Sequence, residues 1–162
     1  MYGNEKEVGN GIKNSGIDRS KLFVTTKFCS PNTTYDLVIS GMKESLKNLQ
    51  LSYLDLVLIH EPYASSIEMY KALEDLQAKG LIKHIGVSNF NRKQIDNLLN
   101  NCTVMPYVNQ ICVDISKITN NRTICEIAQK QNASTNRLKI FTPKRYSYHS
   151  KEQKSKAFRR KS

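Results

Sequence analysis

Hydrophobic and polar residues follow two patterns along the larger part of this chain. Four short apolar runs begin near residues 22, 54, 82 and 107, and the run Leu54–Ile59 is apolar at nearly every position. Runs of this kind predict strands that are buried on both faces of a parallel sheet. Between the runs, apolar residues recur at helical spacing, which predicts one helix between each pair of strands.

Capping residues and glycines delimit the predicted helices. The first helix covers roughly 5–15, because Asn4 and Glu7 form a capping-box pattern and Gly16 can end it. Two further helices are predicted over about Thr34–Leu49 and from Ser65 or Ser66 to Gly80. A fourth begins at Asn91, where Gln94 three positions on completes a second capping-box pattern, and a last one lies within 122–131. Each of the strands is therefore followed by a helix, which indicates the α/β class.

The residues at the ends of the predicted strands indicate whether the sheet is open or belongs to a barrel. No G-x-G-x-x-G follows the first strand, as an open dinucleotide-binding sheet would require. Crossovers of this length imply parallel pairing. Successive strands that place polar groups at one face are typical of a (β/α)8 barrel, of which four to five strands form about half. The polar residues at the predicted carboxyl ends are Lys27, His60, Ser88 with Asn89, and Asn109 with Gln110.

The net charge of +11 is concentrated at one end of the chain. Residues 136–162 hold ten Lys or Arg and one acidic residue, whereas residues 1–135 hold 15 basic and 13 acidic residues. This division predicts a partial barrel over 1–135 and a basic tail of low order over 136–162. A nucleic-acid-binding arm is the alternative for the tail, since Tyr146, Tyr148 and Phe158 lie among its cations. We favour the disordered tail.

The remaining composition indicates a cytoplasmic protein. The four cysteines contain no C-x-x-C pair, so we expect neither a disulfide frame nor a metal site. The apolar runs are shorter than the ~18 residues of a membrane span, and Met1 is not followed by a basic and apolar leader. We therefore expect no membrane association.

Five motifs in this order resemble those of the aldo-keto reductases. They are Y-G-N-E at 2–5, L-F-V-T-T-K at 22–27, S-L-K-N-L-Q-L-S-Y-L-D-L-V-L-I-H at 45–60, I-G-V-S-N-F at 85–90 and V-N-Q-I at 108–111. The resemblance covers about residues 1–115 and, more weakly, 123–135. It implies an incomplete (β/α)8 barrel and an oxidoreductase that reduces a small aldehyde or ketone to an alcohol with NADP(H).

The same resemblance assigns a role to individual residues. Tyr2 matches the family's proton donor, Lys27 the lysine that lowers the pKa of that tyrosine, and His60 the histidine that orients the carbonyl oxygen. Three further residues match the groups that hold the nicotinamide carboxamide of the cofactor: Ser88, Asn89 and Gln110. A carboxamide offers one acceptor and two donors, which suits a hydroxyl and two amide side chains.

This sequence also departs from the family pattern. The family has an aspartate a few residues before the tyrosine, and no residue before Tyr2 matches it. We therefore expect a truncated form with impaired activity, or alternatively a non-catalytic remnant of the family. The choice between NADP and NAD as cofactor stays open, because NADP is favoured by the resemblance and by nothing else in the sequence. A half barrel has two open edges, so self-association through the outer strands is a further expectation.

Overall fold

The computed structural model describes residues 3–29, 33–111 and, for the backbone, 139–141. The helices in this part are α1 (Glu5–Asn14), α2 (Tyr35–Leu49), α3 (Ser66–Ala78) and α4 (Arg92–Leu99), with a short 3-10 helix at Arg19–Lys21. The strands are β1 (Thr25–Phe28), β2 (Leu54–Ile59), β3 (Ile82–Ser88), β4 (Val108–Gln110) and β5 (Lys139–Phe141). None of these helices is both long and apolar enough to cross a membrane.

The strands form one sheet in the order β1-β2-β3-β4-β5, and every neighbouring pair is parallel. Each strand therefore lies beside its neighbour in sequence, with a helix in the connection from β1 to β2, from β2 to β3 and from β3 to β4. The predicted parallel α/β architecture is confirmed. Because all strands run the same way, their carboxyl ends meet at one edge of the sheet.

One face of the sheet packs against the helices, and we call it the helix face. All six residues of β2 are buried, and Val57 and Ile59 join the main hydrophobic core with Met42 of α2 and Leu73 of α3. Side chains along a strand alternate between faces, so the helix face takes every second residue. Full burial of such a side chain stabilises the fold by ~1.5–3 kcal/mol relative to an exposed position.

The opposite face, which we call the open face, carries a smaller cluster formed by Leu56, Leu58 and Val108, with Tyr107 packed against it. Above this cluster lies a cleft of about 680 Å³. Its lining residues are Phe23, Thr25, Lys27, Leu56, Leu58, Tyr107, Val108 and Gln110. The cleft is therefore apolar along its length, with a cation and an amide near the carboxyl ends of the strands.

The helix boundaries agree with the sequence patterns better than the individual caps do. The capping box of Asn91 and Gln94 is confirmed, with both reciprocal hydrogen bonds present at the start of α4. The capping box at Asn4 is wrong, because that side chain makes no cap hydrogen bond at the start of α1. Asn4 has φ −110° and ψ 17° rather than the extended backbone of an N-cap, so its side chain cannot reach the helix amides.

One strand boundary differs from the prediction, and a fifth strand lies within the basic segment. The first strand was expected to begin near residue 22 but begins at Thr25, because the Val24 amide donates to the Asp55 carboxylate at 2.9 Å instead of entering the ladder. The predicted tail contains β5 at Lys139–Phe141, paired with β4. Three residues are too short to show strand periodicity. The boundary between 135 and 136, the rest of the tail and the helix within 122–131 lie outside the described residues.

Candidate active site

The carboxyl ends of three strands bring polar residues into one row. Ser88 is the register partner of Gln110, and Ile59 is the partner of Val87, so His60 lies next to Ser88 in the row. The His60 amide still donates to the carbonyl of Phe28 at 2.9 Å, which keeps the backbone in the register of the sheet at this point. Alternation along β2 then gives His60 the same face as Leu58, the open face.

Lys27 lies one layer nearer the amino end of the same face. It is the register partner of Leu58, it lines the cleft, and it is half-buried. Within the described part of the chain Lys27 makes no ion pair. The preceding residue, Thr26, points to the other side and donates to the Glu5 carboxylate at 3.1 Å. Helix α1 is thereby bonded to the strand that carries Lys27.

Asn89 connects the ends of three strands. Its amide and the hydroxyl of Ser88 both donate to the backbone carbonyl of Gln110, at 2.9 and 2.8 Å. Its side-chain amide is 3.5 Å from the backbone carbonyl of His60, a long hydrogen bond. Asn89 has φ 61°, a left-handed conformation that non-glycine residues seldom adopt and that is often found at functional sites.

Gln110 offers unused hydrogen-bonding capacity. Its Oε1 atom is buried and has no hydrogen-bond partner within the described residues. A buried acceptor without a donor is costly, so such an atom is well suited to receive an N–H group from a ligand. The carboxamide of a nicotinamide supplies two N–H donors and one acceptor, and therefore fits this position beside Ser88 and Asn89.

Two residues beside the site were not singled out by sequence reasoning. Burial raises the pKa of the Cys29 thiol and of the Tyr63 phenol, so both groups are neutral near pH 7. The negative charge of Glu61 raises the pKa of both groups further, by a smaller amount than burial does. Cys29 follows Lys27 by two positions, so strand alternation could have indicated its place.

The predicted site residues thus divide into three groups. The residues that come together at the carboxyl ends are Lys27, Ser88, Asn89 and Gln110, and His60 joins them through the strand register. Tyr2 lies outside the described residues. Asn109 is fully buried on the helix face, because its neighbours Val108 and Gln110 both line the cleft on the other face.

Comparison with known proteins identifies the family. The family model described as "Aldo/keto reductase family" matches residues 1–140. The chain belongs to the aldo/keto reductase family. The family resemblance of the motifs is therefore confirmed.

Individual aldo-keto reductases show how much of the family pattern is present. The chain is 42% identical over 113 residues to morphine 6-dehydrogenase of Pseudomonas putida, which covers 68% of this chain and 38% of that protein. It is 42% identical over 112 residues to glyoxal reductase of Bacillus subtilis, covering 68% of the chain and 41% of that enzyme. The chain thus spans about two fifths of the length of these relatives.

Solved structures give the same result for the fold. A Bombyx mori aldo-keto reductase in complex with NADP has a TM-score of 0.70 and 32% identity, covering 87% of this chain and 48% of that one. An aldo-keto reductase from a deep-sea metagenome library has a TM-score of 0.74 and 37% identity, covering 86% and 49%. Parallel strands that match about half of such chains confirm the predicted partial barrel.

Proposed function

We propose that this protein is an NADP(H)-dependent oxidoreductase that reduces small aldehydes and ketones to alcohols. The observation that carries the proposal is the row at the carboxyl ends of the strands, where Gln110 beside Ser88 holds a buried acceptor that no donor among the described residues satisfies. Family membership and the NADP bound to a structural neighbour support the same cofactor.

The cofactor would be held at its nicotinamide end by Ser88, Asn89 and Gln110. Gln110 Oε1 would accept from the carboxamide N–H, and the hydroxyl of Ser88 and the side-chain amide of Asn89 would complete its hydrogen bonding. When bound, the cofactor supplies the hydride that reduces the carbonyl carbon. The protein groups would fix its orientation over the apolar cleft, where water is displaced by Leu58 and Val108.

The remaining site residues would act on the carbonyl oxygen. An imidazole N–H of His60 would donate to this oxygen and polarise it, and Tyr2 would transfer the proton. A phenol with a pKa near ~10 is a weak acid, and the Lys27 ammonium would stabilise the phenolate that forms.

The substrate would be a small carbonyl compound, in line with relatives such as glyoxal reductase of Bacillus subtilis and the NAD/NADP-dependent indole-3-acetaldehyde reductase of Schizosaccharomyces pombe. A cytoplasmic location belongs to the same proposal, because NADPH and reduced cysteines are found together there. The preference for NADP over NAD rests on the neighbours solved with NADP or NADPH.

The direct test is turnover of an aldehyde by the purified chain. We expect NADPH oxidation, followed by the near-ultraviolet absorbance of the reduced nicotinamide, to depend on both the protein and the aldehyde. Tyr2→Phe should abolish turnover and leave NADPH binding in place. Tyr70→Phe serves as the matched control, because it also removes one hydroxyl but from the core of α3. Equal rates for the two variants would contradict the role of Tyr2.

A second candidate function is cofactor or carbonyl binding without turnover. It is favoured by one observation, that Lys27 has no carboxylate partner within the described residues. A lysine without this partner is not held in place for its role beside the tyrosine. NADPH binding by the purified chain with no oxidation of the cofactor by any of several aldehydes would favour this function over the first.

We also propose self-association through the sheet edges. Within the described sheet, β1 pairs with β2 alone and β5 with β4 alone, and unpaired strand edges favour pairing with another chain. Sedimentation velocity at increasing concentration should show dimers or larger species. A single monomeric species at all concentrations would exclude the proposal.

A further inference from the structure

Asn109 is a fully buried amide that makes two hydrogen bonds to a single residue. Its Nδ2 atom donates to the Phe90 carbonyl at 2.8 Å, and its Oδ1 atom accepts from the Phe90 amide at 3.3 Å. The residue is 0% exposed. The last register pair between β3 and β4 is Ser88 with Gln110. The Asn109 side chain therefore connects β4 to Phe90, two residues beyond the end of β3.

These bonds act on the segment that carries the proposed cofactor-binding residues. Phe90 directly follows Asn89, whose φ of 61° needs support from its surroundings because a side chain is strained in that conformation. On the other side of the segment, the carbonyl of Gln110 accepts from the Ser88 hydroxyl and the Asn89 amide. Two consecutive residues of β4 thus hold the end of β3, one by its side chain and one by its backbone.

The faces of the sheet separate this role from direct contact. Val108 and Gln110 line the cleft, so the Asn109 side chain lies on the helix face, away from the place of the cofactor. We call the two hydrogen bonds between the Asn109 side chain and the Phe90 backbone the clamp. Phe90 is itself 2% exposed and belongs to the main core, so the clamp is attached to a rigid part of the fold. The bonds from Asn109 to Phe90 therefore reach the cofactor-binding residues through the backbone of Ser88, Asn89 and Phe90.

We propose that Asn109 is a positioning residue for nicotinamide binding: it fixes Phe90, and thereby holds Asn89 in its left-handed conformation and Ser88 beside Gln110. The inference rests on the proposed function, because it assigns a role within the same binding site. Without the clamp, the buried N–H and carbonyl of Phe90 lose their partners, and the turn at Asn89 relaxes towards an unstrained conformation.

A purely structural role predicts a different pattern of results. Loss of packing would lower the melting temperature and leave the affinity of the folded fraction for NADPH unchanged. Ile95→Ala provides this comparison. Ile95 is 0% exposed in the same core, but it takes no part in the hydrogen bonds between Asn109 and Phe90. The two variants can be compared at a temperature at which circular dichroism shows both to be folded.

The experiment measures the NADPH dissociation constant by cofactor fluorescence for the full chain. We expect Asn109→Ala to raise the constant about tenfold, which equals about 1.4 kcal/mol, and Ile95→Ala to change it by less than about twofold. Should Asn109→Ala not fold, Asn109→Ser, which keeps a donor for the Phe90 carbonyl, should give an intermediate constant.

A second measurement tests the clamp without the cofactor. Hydrogen exchange of the Phe90 amide should be faster in Asn109→Ala than in the wild type, relative to amides of β2 in the same samples. Normal NADPH binding by the wild type with an unchanged constant in Asn109→Ala would overturn this inference alone. Absence of NADPH binding by the folded wild type would overturn the proposed function and the inference together.

Discussion

The two ends of β2 use polar residues in opposite ways. At the amino end, Asp55 is 4% exposed and its carboxylate contacts Arg19 at 2.6 Å, Lys83 at 3.1 Å and the Val24 amide at 2.9 Å. The cations of Arg19 and Lys83 also lie 4.1 and 4.2 Å from the centre of the Tyr53 ring. This cluster joins the 3-10 helix, β2 and β3, and the two cations share the single carboxylate of Asp55.

At the carboxyl end the polar groups are left available. Gln110 Oε1 has no partner and Lys27 has no ion pair within the described residues. The backbone there is held tightly, by the bonds from Ser88 and Asn89 to the Gln110 carbonyl. The difference teaches that the charged groups at the amino end are paired with one another, whereas the carboxyl end has a fixed backbone and keeps polar side chains available where a ligand can bind.

The largest effect should come from breaking the amino-end cluster. Asp55→Ala removes the partner of Arg19, whose guanidinium is mostly buried, so we expect the free energy of unfolding to fall by about 3 kcal/mol. Urea unfolding followed by circular dichroism measures this change. Asp96→Ala is the matched control, because its ion pair with Arg92 at 2.7 Å is half-exposed and should contribute less than about 1 kcal/mol. Equal losses would contradict the special role of the cluster.

The same cluster should make stability depend on pH in the acid range. Burial alone would raise the pKa of Asp55, but hydrogen bonds from the Val24 amide, Arg19 and Lys83 outweigh it and lower this pKa below 3.8. The carboxylate therefore stabilises the fold fully above pH 3.8, and this contribution is lost as the pH falls through the lower folded-state value. Urea unfolding at several pH values should show a steeper acid loss for the wild type than for Asp55→Asn. Parallel curves for both proteins would exclude Asp55 as the cause.

A smaller effect on stability, this time an increase, is expected from a substitution in helix α3, which packs on the sheet between its two ends. Tyr70 is 1% exposed, and its hydroxyl has no hydrogen-bond partner within the described residues. Burial raises the pKa of Tyr70, so the group stays neutral but unsatisfied. Tyr70→Phe should increase the free energy of unfolding by about 1 kcal/mol. Tyr35→Phe, which removes a hydroxyl bonded to Asp75, should show no gain.

The smallest effect on stability should come from the carboxyl end of β2. The His60 imidazole makes no hydrogen bond to another described residue, and the side chain is half-buried. His60→Ala should therefore change the free energy of unfolding by less than about 0.5 kcal/mol while it abolishes carbonyl reduction. A loss above about 1 kcal/mol would show that His60 belongs to the structural network, and the contrast between the two ends would disappear.

Local patterns predicted the central elements of the fold. The apolar run of β2, the histidine at its end, and the capping box of Asn91 and Gln94 all follow from residues that are neighbours in the sequence. Strand alternation could also separate Gln110 on the open face from Asn109 on the helix face, once the bounds of β4 are known.

The features that sequence reasoning missed depend on distant residues. The start of β1 is set by Asp55, which lies 31 positions after Val24. Strand β5 exists through its pairing with β4, since three residues carry no periodicity of their own. The Asn4 side chain fits a capping pattern, but the backbone there turns differently as α1 begins. In each case tertiary contacts overrule the local preference.

The most direct test compares glutamines at the opposite ends of the sheet. Gln110 lies at the carboxyl end, whereas Gln77 donates to the Lys83 carbonyl near the amino end of β3 at 2.9 Å. NADPH titrations of the wild type, Gln110→Ala and Gln77→Ala, followed by cofactor fluorescence, would measure the dissociation constant of each protein. The account predicts an increase of about tenfold or more for Gln110→Ala and less than about twofold for Gln77→Ala. Equal constants for the two variants, or no saturable binding by the folded wild type, would contradict it.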